Sequence, residues 1–579
     1  MRNNRLYQKY KKRLKIFNGS IILFTIILIF NFFLVQVFFS NSYTNEILNR
    51  TKTLRLNKGQ RGSIFDRNNN LLAYSIEKCR FWINTNNDTI DKEKILNLFA
   101  NNLNQSNQLE EKILNQKSNY LVLIDDLITY EHDDLIQKSK SIKSLHCNYY
   151  NHRLYPYNEL AAQLIGFTNY DNQGRYGIEG YFNNILDGSK SIVEYNKNSR
   201  GRIISSKNSF LENNGSDIFL TIDINIQDIL QSELKKTFMN NNAKSANGII
   251  VDPYSGEIIA MASIPDFNLN EYKKLPSDSS NYYYTNRVIS HPYEPGSTFK
   301  VICFSEALDN HQINYNDQYF CENGHYIGKY QQPFRDHDPY DSLSFSDIFT
   351  YSSNIGTIKI FENLSNQSFY RKMQDFGFGI KTNISLNNES SGDIKRMNYY
   401  DNNLRDLASA SIGQSILVTN LQMALAYSSL ANGGYLLKPK IVKKIINNKV
   451  INNFDEPIIV RKNLKNKTAN FFTFALNNVI TTGTGQKAYI DGFSIGGKTG
   501  TAEIWDKDNK KYSEKNYFSS FASIFPIDKP KYVMIISIES PEKYHKRWGG
   551  ETAAPCAKNI IKSIMLYDKD LRLNKNEKA

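Results

Sequence analysis

The chain has 579 residues, enough for two to four domains, and its hydrophobic content of 40% and charged content of 22% are those of a folded protein. Its net charge of +14 would suit nucleic acid, anionic lipid or an acidic polymer. However, the sequence has no zinc-finger spacing, no phosphate-binding loop and no platform of aromatic and basic residues. We therefore expect no nucleic-acid partner.

The cysteines are few and scattered. They number five, with no C-x-x-C pair, and an odd number argues against a disulfide framework. Cys303 follows Ser297 in an apolar run and is most simply a small core residue. A bridge between Cys79 and Cys147 is left open.

The N-terminus has the pattern of a membrane anchor. Residues 2–15 carry seven Lys and Arg and no acid, and residues 19–39 form an apolar run about one bilayer long. A signal peptide is the competing interpretation, but the run exceeds a usual signal core and no small-x-small cleavage site follows it. A buried soluble helix is a weaker alternative, because no polar face interrupts the run. We expect a retained anchor, with the N-terminus in the cytoplasm and the rest of the chain outside.

The next 175 residues, 40–214, are polar and contain many Asn and only short apolar runs. Three patches combine charge and glycine in ways typical of turns and salt bridges: RGSIFDR at 61–67, RLYP at 153–156 and GIEG at 177–180. No pairing of a nucleophile with a base is evident. This part of the sequence predicts a non-catalytic domain that is extended and rich in strands.

From Gly215 the pattern changes to that of an α+β domain. We predict strands at 216–223, 495–505, 517–525 and 532–539, a hairpin around Ser255-Gly256, and helices from Ile226, at 421–430 and at 557–566. Strands at both ends with helices between them favour one antiparallel sheet flanked by helices. The predicted division is a basic tail at 1–18, a transmembrane helix at 19–39, a non-catalytic domain at 40–214, a catalytic domain at 215–568 and a charged tail at 569–579.

The first motif with chemical content is Ser297-x-x-Lys300. A Pro-Gly pair precedes Ser297 and a helix-compatible run follows it, which places the serine near a helix start with Lys300 on the same face. A partly desolvated lysine can take a serine proton, and backbone N–H groups at the helix start can stabilise an oxyanion. A helix cap beside a surface lysine is the alternative. Ser540-x-x-Lys543 is a second match, which we interpret as a turn at a strand end.

Two later motifs make that alternative less attractive. Ser352-x-Asn354 offers a hydroxyl that can relay a proton and an amide that can bind a carbonyl or an amine. Lys498-Thr499-Gly500 has flanking glycines that suit an edge strand, a positive charge and a hydroxyl for a substrate carboxylate. Its order does not fit a Walker nucleotide loop.

The three motifs in this order resemble those of penicillin-binding proteins and class A β-lactamases. From the anchor to about residue 565 the chain resembles the class B penicillin-binding proteins, which are monofunctional peptidoglycan transpeptidases. RGSIFDR, RLYP, IGFTN and GIEGYFNNILDG are similar to the family's pedestal, or dimerisation, blocks; DIFLTID, VDPYSGEIIAMAS and TGTG are similar to its transpeptidase domain. Glu294, in YEPGSTFK, favours the septal, cell-division type over the elongation type.

The resemblance implies a role for each motif residue. Ser297 would attack the carbonyl between two terminal D-alanines of a stem peptide, and Lys300 would take its proton. Ser352 would protonate the leaving D-alanine, and Asn354 would position the donor peptide. No metal or organic cofactor is implied, and β-lactams would be trapped on Ser297.

The third motif would hold the substrate. Lys498 and Thr499 would bind the terminal carboxylate, and Gly500 would leave room for a strand-like substrate. Backbone N–H groups of Ser297 and Thr501 would form the oxyanion hole. An amine of a neighbouring stem peptide would then form the cross-link.

The resemblance also implies partners and a location. These are a membrane glycosyltransferase and division-site proteins, at the bacterial cytoplasmic membrane with the catalytic domain outside. The alternatives are an elongation-type transpeptidase, a DD-carboxypeptidase or β-lactamase-like hydrolase, and a non-enzymatic penicillin sensor. The sequence departs from the family at Asn383 and at Asn387-Asn388, where glycine or proline is usual, and Asn tolerates left-handed backbone better than most residues.

Overall fold

A computed structural model describes residues 2–43, 52–84, 91–103, 109, 111–113, 119–197, 203–207, 214–276, 280–310, 313–447, 450–506, 511–542 and 547–571. The chain divides into two compact units: 1–59 with 188–214, and 60–187 with 215–579. Lys543 and most of the predicted charged tail lie outside the described residues.

The first unit contains the N-terminal helix. The helix runs over Arg2–Phe33 and continues as a π-helical turn over Leu34–Phe38. Tyr7–Phe38 is long and apolar enough to cross a membrane, and none of its most apolar window is buried. The unit also has a three-stranded antiparallel sheet in the order Lys52–Lys58, Lys190–Lys197, Ile203–Lys207. The apolar helix is therefore compatible with the predicted anchor.

The second unit is built around a five-stranded antiparallel sheet, called here the central sheet. Its order is Ile258–Ile264, Ser245–Val251, Tyr532–Glu539, Lys511–Phe525, Gly496–Asp506. Helices Ile224–Asn240 and Ala553–Tyr567 pack on one face through Leu230, Leu234 and Ile560, and helix Asn420–Ala431 packs on the other. The predicted hairpin, the C-terminal strands and the α+β class are confirmed.

A second sheet of seven strands joins segments that are far apart in sequence. Strands Val450–Asn453, Val442–Asn447, Asp217–Leu220, Ile64–Phe65, Leu71–Asn84 and Tyr120–Ile128 follow one another, and Leu145–Leu154 also pairs with Leu71–Asn84. Ile64 and Phe65 run parallel to Ile218 and Phe219. Residues 60–187 form one compact unit with 215–579. The boundary between a non-catalytic and a catalytic domain at 214/215 stays a prediction.

The remaining helices and short strands surround these sheets. The α-helices are Lys92–Leu103, Asp133–Ser139, Ala162–Ile165, Gly177–Tyr181, Asn183–Leu186, Ser280–Tyr284, Arg287–Ser290, Lys300–Asn310, Phe345–Tyr351, Asn354–Glu362, Asn366–Asp375, Met397–Asn402, Leu404–Ser411 and Asn466–Thr481. The 3-10 turns are Leu269–Lys274, Gly296–Phe299, Glu322–Gly324 and Gln486–Ala488. Short antiparallel pairs join Gln318–Phe320 to Ser342–Ser344, His325–Tyr326 to Phe334–Arg335, and Tyr435–Leu437 to Ile459–Lys462.

Asn383 and Asn388 both have left-handed backbone, with φ of 60° and 63°, so asparagine takes the conformation that glycine usually supplies. Cys79 and Cys147 lie on neighbouring strands, and all five cysteines are free thiols.

Candidate active site

Ser297 lies in a tight turn rather than in the helix itself. The 3-10 segment Gly296–Phe299, called here the serine turn, leads directly into helix Lys300–Asn310. Gly296 has a φ of 54°, and a Cβ there would meet the carbonyl oxygen of Thr501 at 2.5 Å, so only glycine lets the turn approach so closely. The buried hydroxyl of Tyr427 donates to the carbonyl of Thr298 at 2.8 Å. Two neighbouring elements therefore fix the position of the half-buried Ser297.

Lys300 is fully buried and faces the second motif. Its ammonium donates to the Ser352 carbonyl at 2.6 Å, to Asn354 Oδ1 at 2.8 Å and to Ser352 Oγ at 3.3 Å. Burial lowers the pKa of Lys300 from its ordinary value to about 7, although the negative charge of Asp336 opposes this effect. No described residue forms a hydrogen bond with the Ser297 hydroxyl. Lys300 can thus become neutral near physiological pH while held by neutral oxygens.

A break between two helices brings Ser352 and Asn354 into the same space. Helix Phe345–Tyr351 ends at Ser352, whose φ of 62° is left-handed, and helix Asn354–Glu362 begins two residues later. Ser353 caps the second helix by accepting the Gly356 N–H at 2.9 Å. Ser352 and Asn354 therefore lie at a helix end and a helix start, and both side chains contact Lys300.

Lys498 completes the cluster from the edge strand of the central sheet. Its ammonium donates to Ser352 Oγ at 2.7 Å, so one hydroxyl accepts from both lysines. Burial, followed by the neighbouring charge of Lys300, holds the pKa of Lys498 well below its ordinary value. The structure therefore joins Lys300, Ser352, Asn354 and Lys498 in one hydrogen-bonded group.

Thr499 and Thr501 lie on the same strand, Gly496–Asp506, called here the lysine strand. The hydroxyl of Thr499 lies 2.7 Å from that of Thr484, and the Thr501 hydroxyl accepts the Gly549 N–H at 3.0 Å. The lysine strand is a sheet edge, as its glycines predicted.

Gly500 lies where the lysine strand meets the segment that leads into the serine turn. A Cβ at Gly500 would meet Ser520 Oγ at 2.3 Å and the Pro295 carbonyl oxygen at 2.6 Å. The glycine therefore permits close packing within the protein, and its role in leaving room for a strand-like substrate stays a prediction.

Three further groups at this site were not predicted. Asp336 accepts hydrogen bonds from Ser353 and Asn354, and the Arg335 carbonyl accepts from the Asn354 amide. Thr484 belongs to the TGTG block, which was noted without a role. Asp336 lies in an acid-rich stretch, DHDPYD, where no local pattern distinguishes one carboxylate from the next. Within the described ranges, no group of three His, Cys, Asp or Glu side chains could hold a metal.

Family comparisons match both parts of the chain. The model described as "Penicillin binding protein transpeptidase domain" matches residues 247–562, and "Penicillin-binding Protein dimerisation domain" matches residues 56–220. Both matches agree with the resemblance found from the motifs.

Individual relatives agree with the family match. The chain is 30% identical over 612 residues to "Peptidoglycan D,D-transpeptidase FtsI homolog" of Mesostigma viride, covering 96% of this chain and 97% of that protein. It is also 30% identical to "Stage V sporulation protein D" of Bacillus subtilis, covering 71% of this chain but 64%, less than two thirds, of that protein. The structure of penicillin-binding protein 2X from Streptococcus thermophilus superposes with a TM-score of 0.75 at 21% identity, over 90% of this chain and 81% of that one, and indicates a shared fold.

Proposed function

The chain belongs to the class B penicillin-binding proteins, the peptidoglycan D,D-transpeptidases, and we propose that it cross-links stem peptides through an acyl-enzyme on Ser297 during septal wall synthesis. The observation that carries this proposal is the buried pair of lysines, Lys300 and Lys498, which both donate to the hydroxyl of Ser352. Neither lysine forms an ion pair with a carboxylate of the described chain, so burial favours loss of a proton, which is what a serine nucleophile requires.

In the first step, Ser297 Oγ attacks the carbonyl between the two terminal D-alanines. Neutral Lys300 accepts the serine proton as the new C–O bond forms. The backbone N–H groups of Ser297 and Thr501 stabilise the resulting oxyanion, each by about 3 kcal/mol. The close approach of Gly296 to the Thr501 carbonyl supports this, because it places the serine turn directly against the lysine strand.

Collapse of the tetrahedral intermediate breaks the C–N bond. The departing D-alanine nitrogen takes a proton through Ser352, whose hydroxyl contacts both lysines. The stem peptide remains esterified to Ser297. An amine from a neighbouring stem peptide then attacks the ester carbonyl, the C–O bond to Ser297 breaks, and the serine recovers its proton.

The substrate carboxylate explains the third motif. Lys498 has a depressed pKa in the free protein because it is buried beside Lys300. A carboxylate bound next to it favours the charged form, so substrate binding restores the ammonium. Thr499, aligned by its contact with Thr484, donates to the same carboxylate, and Asn354 positions the donor peptide. A β-lactam mimics the D-alanyl-D-alanine unit and stays attached to Ser297.

The cellular setting is part of the same proposal. The N-terminal helix would be a single-pass anchor in the cytoplasmic membrane, with its basic end inside and the catalytic unit outside. Glu294 and the FtsI-named relative support a role at the division site. A membrane glycosyltransferase and division-site proteins would then bind through the anchor and the pedestal.

The proposal is tested by mass spectrometry after penicillin labelling of the detergent-solubilised chain. We expect one adduct, on the peptide that contains Ser297, and none in Ser297→Ala. Ser540→Gly is the matched control, because Ser540 belongs to the second Ser-x-x-Lys match and glycine tolerates its φ of 49°. An adduct at Ser540, or labelling that survives Ser297→Ala, would overturn the acyl-enzyme.

Product analysis separates transpeptidation from hydrolysis. With stem peptides and an acceptor amine, we expect cross-linked dimer as the main product. Free D-alanine without dimer would favour a carboxypeptidase. Imaging a fluorescent fusion would separate a septal enzyme, at mid-cell, from an elongation enzyme along the lateral wall.

A further inference from the structure

We propose that Asp336 is a positioning residue that fixes the start of helix Asn354–Glu362 and thereby aims the Asn354 amide at Lys300. This inference rests on the proposed function and adds to it a carboxylate outside the three motifs. Asp336 lies 18 residues before Asn354 and reaches the site through the fold, not through sequence proximity.

The carboxylate of Asp336 holds the first residues of that helix. Its Oδ1 accepts the backbone N–H groups of Asn354 and of Ile355, the latter at 3.0 Å. Its Oδ2 accepts the Ser353 hydroxyl at 2.6 Å. These are N–H groups that a helix start leaves without intrahelical partners, and a carboxylate there is also favoured by the helix dipole.

The residue next to Asp336 fixes the orientation of the Asn354 side chain. Asn354 Nδ2 donates to the Arg335 carbonyl at 2.9 Å, which leaves Oδ1 to accept from Lys300 at 2.8 Å. In the opposite amide orientation, an NH₂ group would face the ammonium and the contact would be lost. The 335–336 segment therefore holds both the backbone and the side chain of Asn354.

This segment is itself anchored. Phe334 is buried, and Phe334–Arg335 pairs with the strand His325–Tyr326. The Arg405 guanidinium lies 4.8 Å from the centroid of the Phe334 ring. Asp336 is thus carried by a fixed strand end and not by a free loop.

The charge of Asp336 also acts on Lys300. Two ionisable groups raise the Lys300 pKa, Asp336 first and Cys303 second, so Asp336 is the carboxylate that opposes the lowering by burial. Lys498 shares the Ser352 hydroxyl with Lys300, and the charge of Lys300 lowers the Lys498 pKa. The charge of Asp336 also adds to burial in raising the pKa of the Cys321 thiol and of the Tyr340 phenol. Removing its charge should therefore lower the Lys300 pKa further, an effect that a purely structural role would not produce.

The test compares Asp336→Asn and Asp336→Ala with the unmodified chain. The acylation rate constant of each full-length protein is measured with a fluorescent penicillin between pH 5 and 9. We expect the maximal rate to fall about tenfold in Asp336→Asn and about a hundredfold in Asp336→Ala, since hydrogen bonds to a charged group are lost. In Asp336→Asn the rising limb of the profile should also move to lower pH.

Asp338→Asn is the matched control. This substitution also removes one negative charge, two residues away from Asp336. The Asp338 carboxylate is exposed and is not among the groups that shift the Lys300 pKa. The position of the pH limb does not depend on the fraction of folded protein, so it stays informative if Asp336→Ala folds poorly. An Asp336→Asn profile equal to the unmodified one, or one reduced in rate without a shifted limb, would overturn the inference. If the unmodified chain is not labelled at all, the proposed function is wrong, and this inference, which rests on it, is wrong as well.

Discussion

Two buried charged groups in this protein follow opposite designs. In the second unit, Glu179 lies between two arginines: Arg61 Nε donates to it at 2.7 Å and Arg153 Nε at 2.6 Å. In the candidate active site, Lys300 and Lys498 are equally buried, yet within the described part of the chain neither has a carboxylate within 4.0 Å. Both lysines instead share the hydroxyl of Ser352.

The difference shows how burial can serve either structure or chemistry. In the arginine group the carboxylate offsets the cost of removing cations from water, and an arginine keeps its charge in proteins. In the lysine group Asp336 offsets the cost only in part, so the cost appears as depressed pKa values. A lysine can give up its proton, and the second design is therefore reactive where the first is inert.

The largest effect expected from this comparison is that of Lys300→Met. The substitution keeps an unbranched apolar side chain but removes the base, so the acylation rate should fall by about 10² to 10⁴-fold. Gel-based labelling with a fluorescent penicillin over time measures it. Lys359→Met, on the outer side of helix Asn354–Glu362, is the control and should label normally. If Lys300→Met were labelled at the rate of the unmodified protein, Lys300 would not be the base that accepts the serine proton.

Breaking the arginine group should affect stability instead. Glu179→Gln leaves two buried arginines without a counter-charge, which should cost about 3 to 5 kcal/mol in the free energy of unfolding. Urea titration followed by fluorescence measures it, and the exposed Glu159→Gln serves as control, with a change within about 0.5 kcal/mol. An unchanged free energy of unfolding in Glu179→Gln would mean that Arg61 and Arg153 do not depend on Glu179 as their buried counter-charge.

The pH dependence of acylation sharpens the contrast further. Because burial lowers the Lys300 pKa to about 7 and the neutral amine is the base, the rate should rise with pH through 7 and level off above it. Below pH 7 it should fall about tenfold for each unit. A rate that is constant between pH 5.5 and 8 would contradict a lysine base.

Glu294 gives the smallest effect, because it is an intermediate case: a half-buried acid that forms no ion pair within the described residues. Its Oε1 accepts the Ser415 N–H at 2.9 Å and the Tyr512 hydroxyl at 3.0 Å, and burial raises its pKa to about 7. For a carboxyl with a raised pKa, the stability contribution is full below about pH 4.5 and is lost as pH rises through about 7. Glu294→Gln should therefore stabilise the protein at pH 8 by about 1 to 2 kcal/mol and have little effect at pH 4.5. Thermal unfolding at both pH values measures it, and equal shifts at both would refute the assignment.

The sequence predicted those parts of the site that have local patterns. The helix that follows Ser297 and the edge position of Lys498 follow from neighbouring residues, and the structure has both. The meeting of Asp336 with Asn354 depends instead on how a short strand pair docks. Likewise, a glycine at position 500 predicts a close approach but not whether substrate or the serine turn makes it.

The fold shows the same limit. The hairpin around Ser255-Gly256 was predictable because both strands and the turn are contiguous. The parallel pairing of Ile64 with Ile218 was not, because two short apolar runs some 150 residues apart contain no information about register.

That parallel pair has a practical consequence for excising the catalytic part. A truncated chain that begins at Gly215 would lose Ile64–Phe65 and leave one edge of strand Asp217–Leu220 without its hydrogen-bonding neighbour. An uncovered apolar edge invites pairing with other molecules, so we expect such a fragment to aggregate. The smallest self-sufficient piece should instead retain residues 60–187 together with everything from 215 onward.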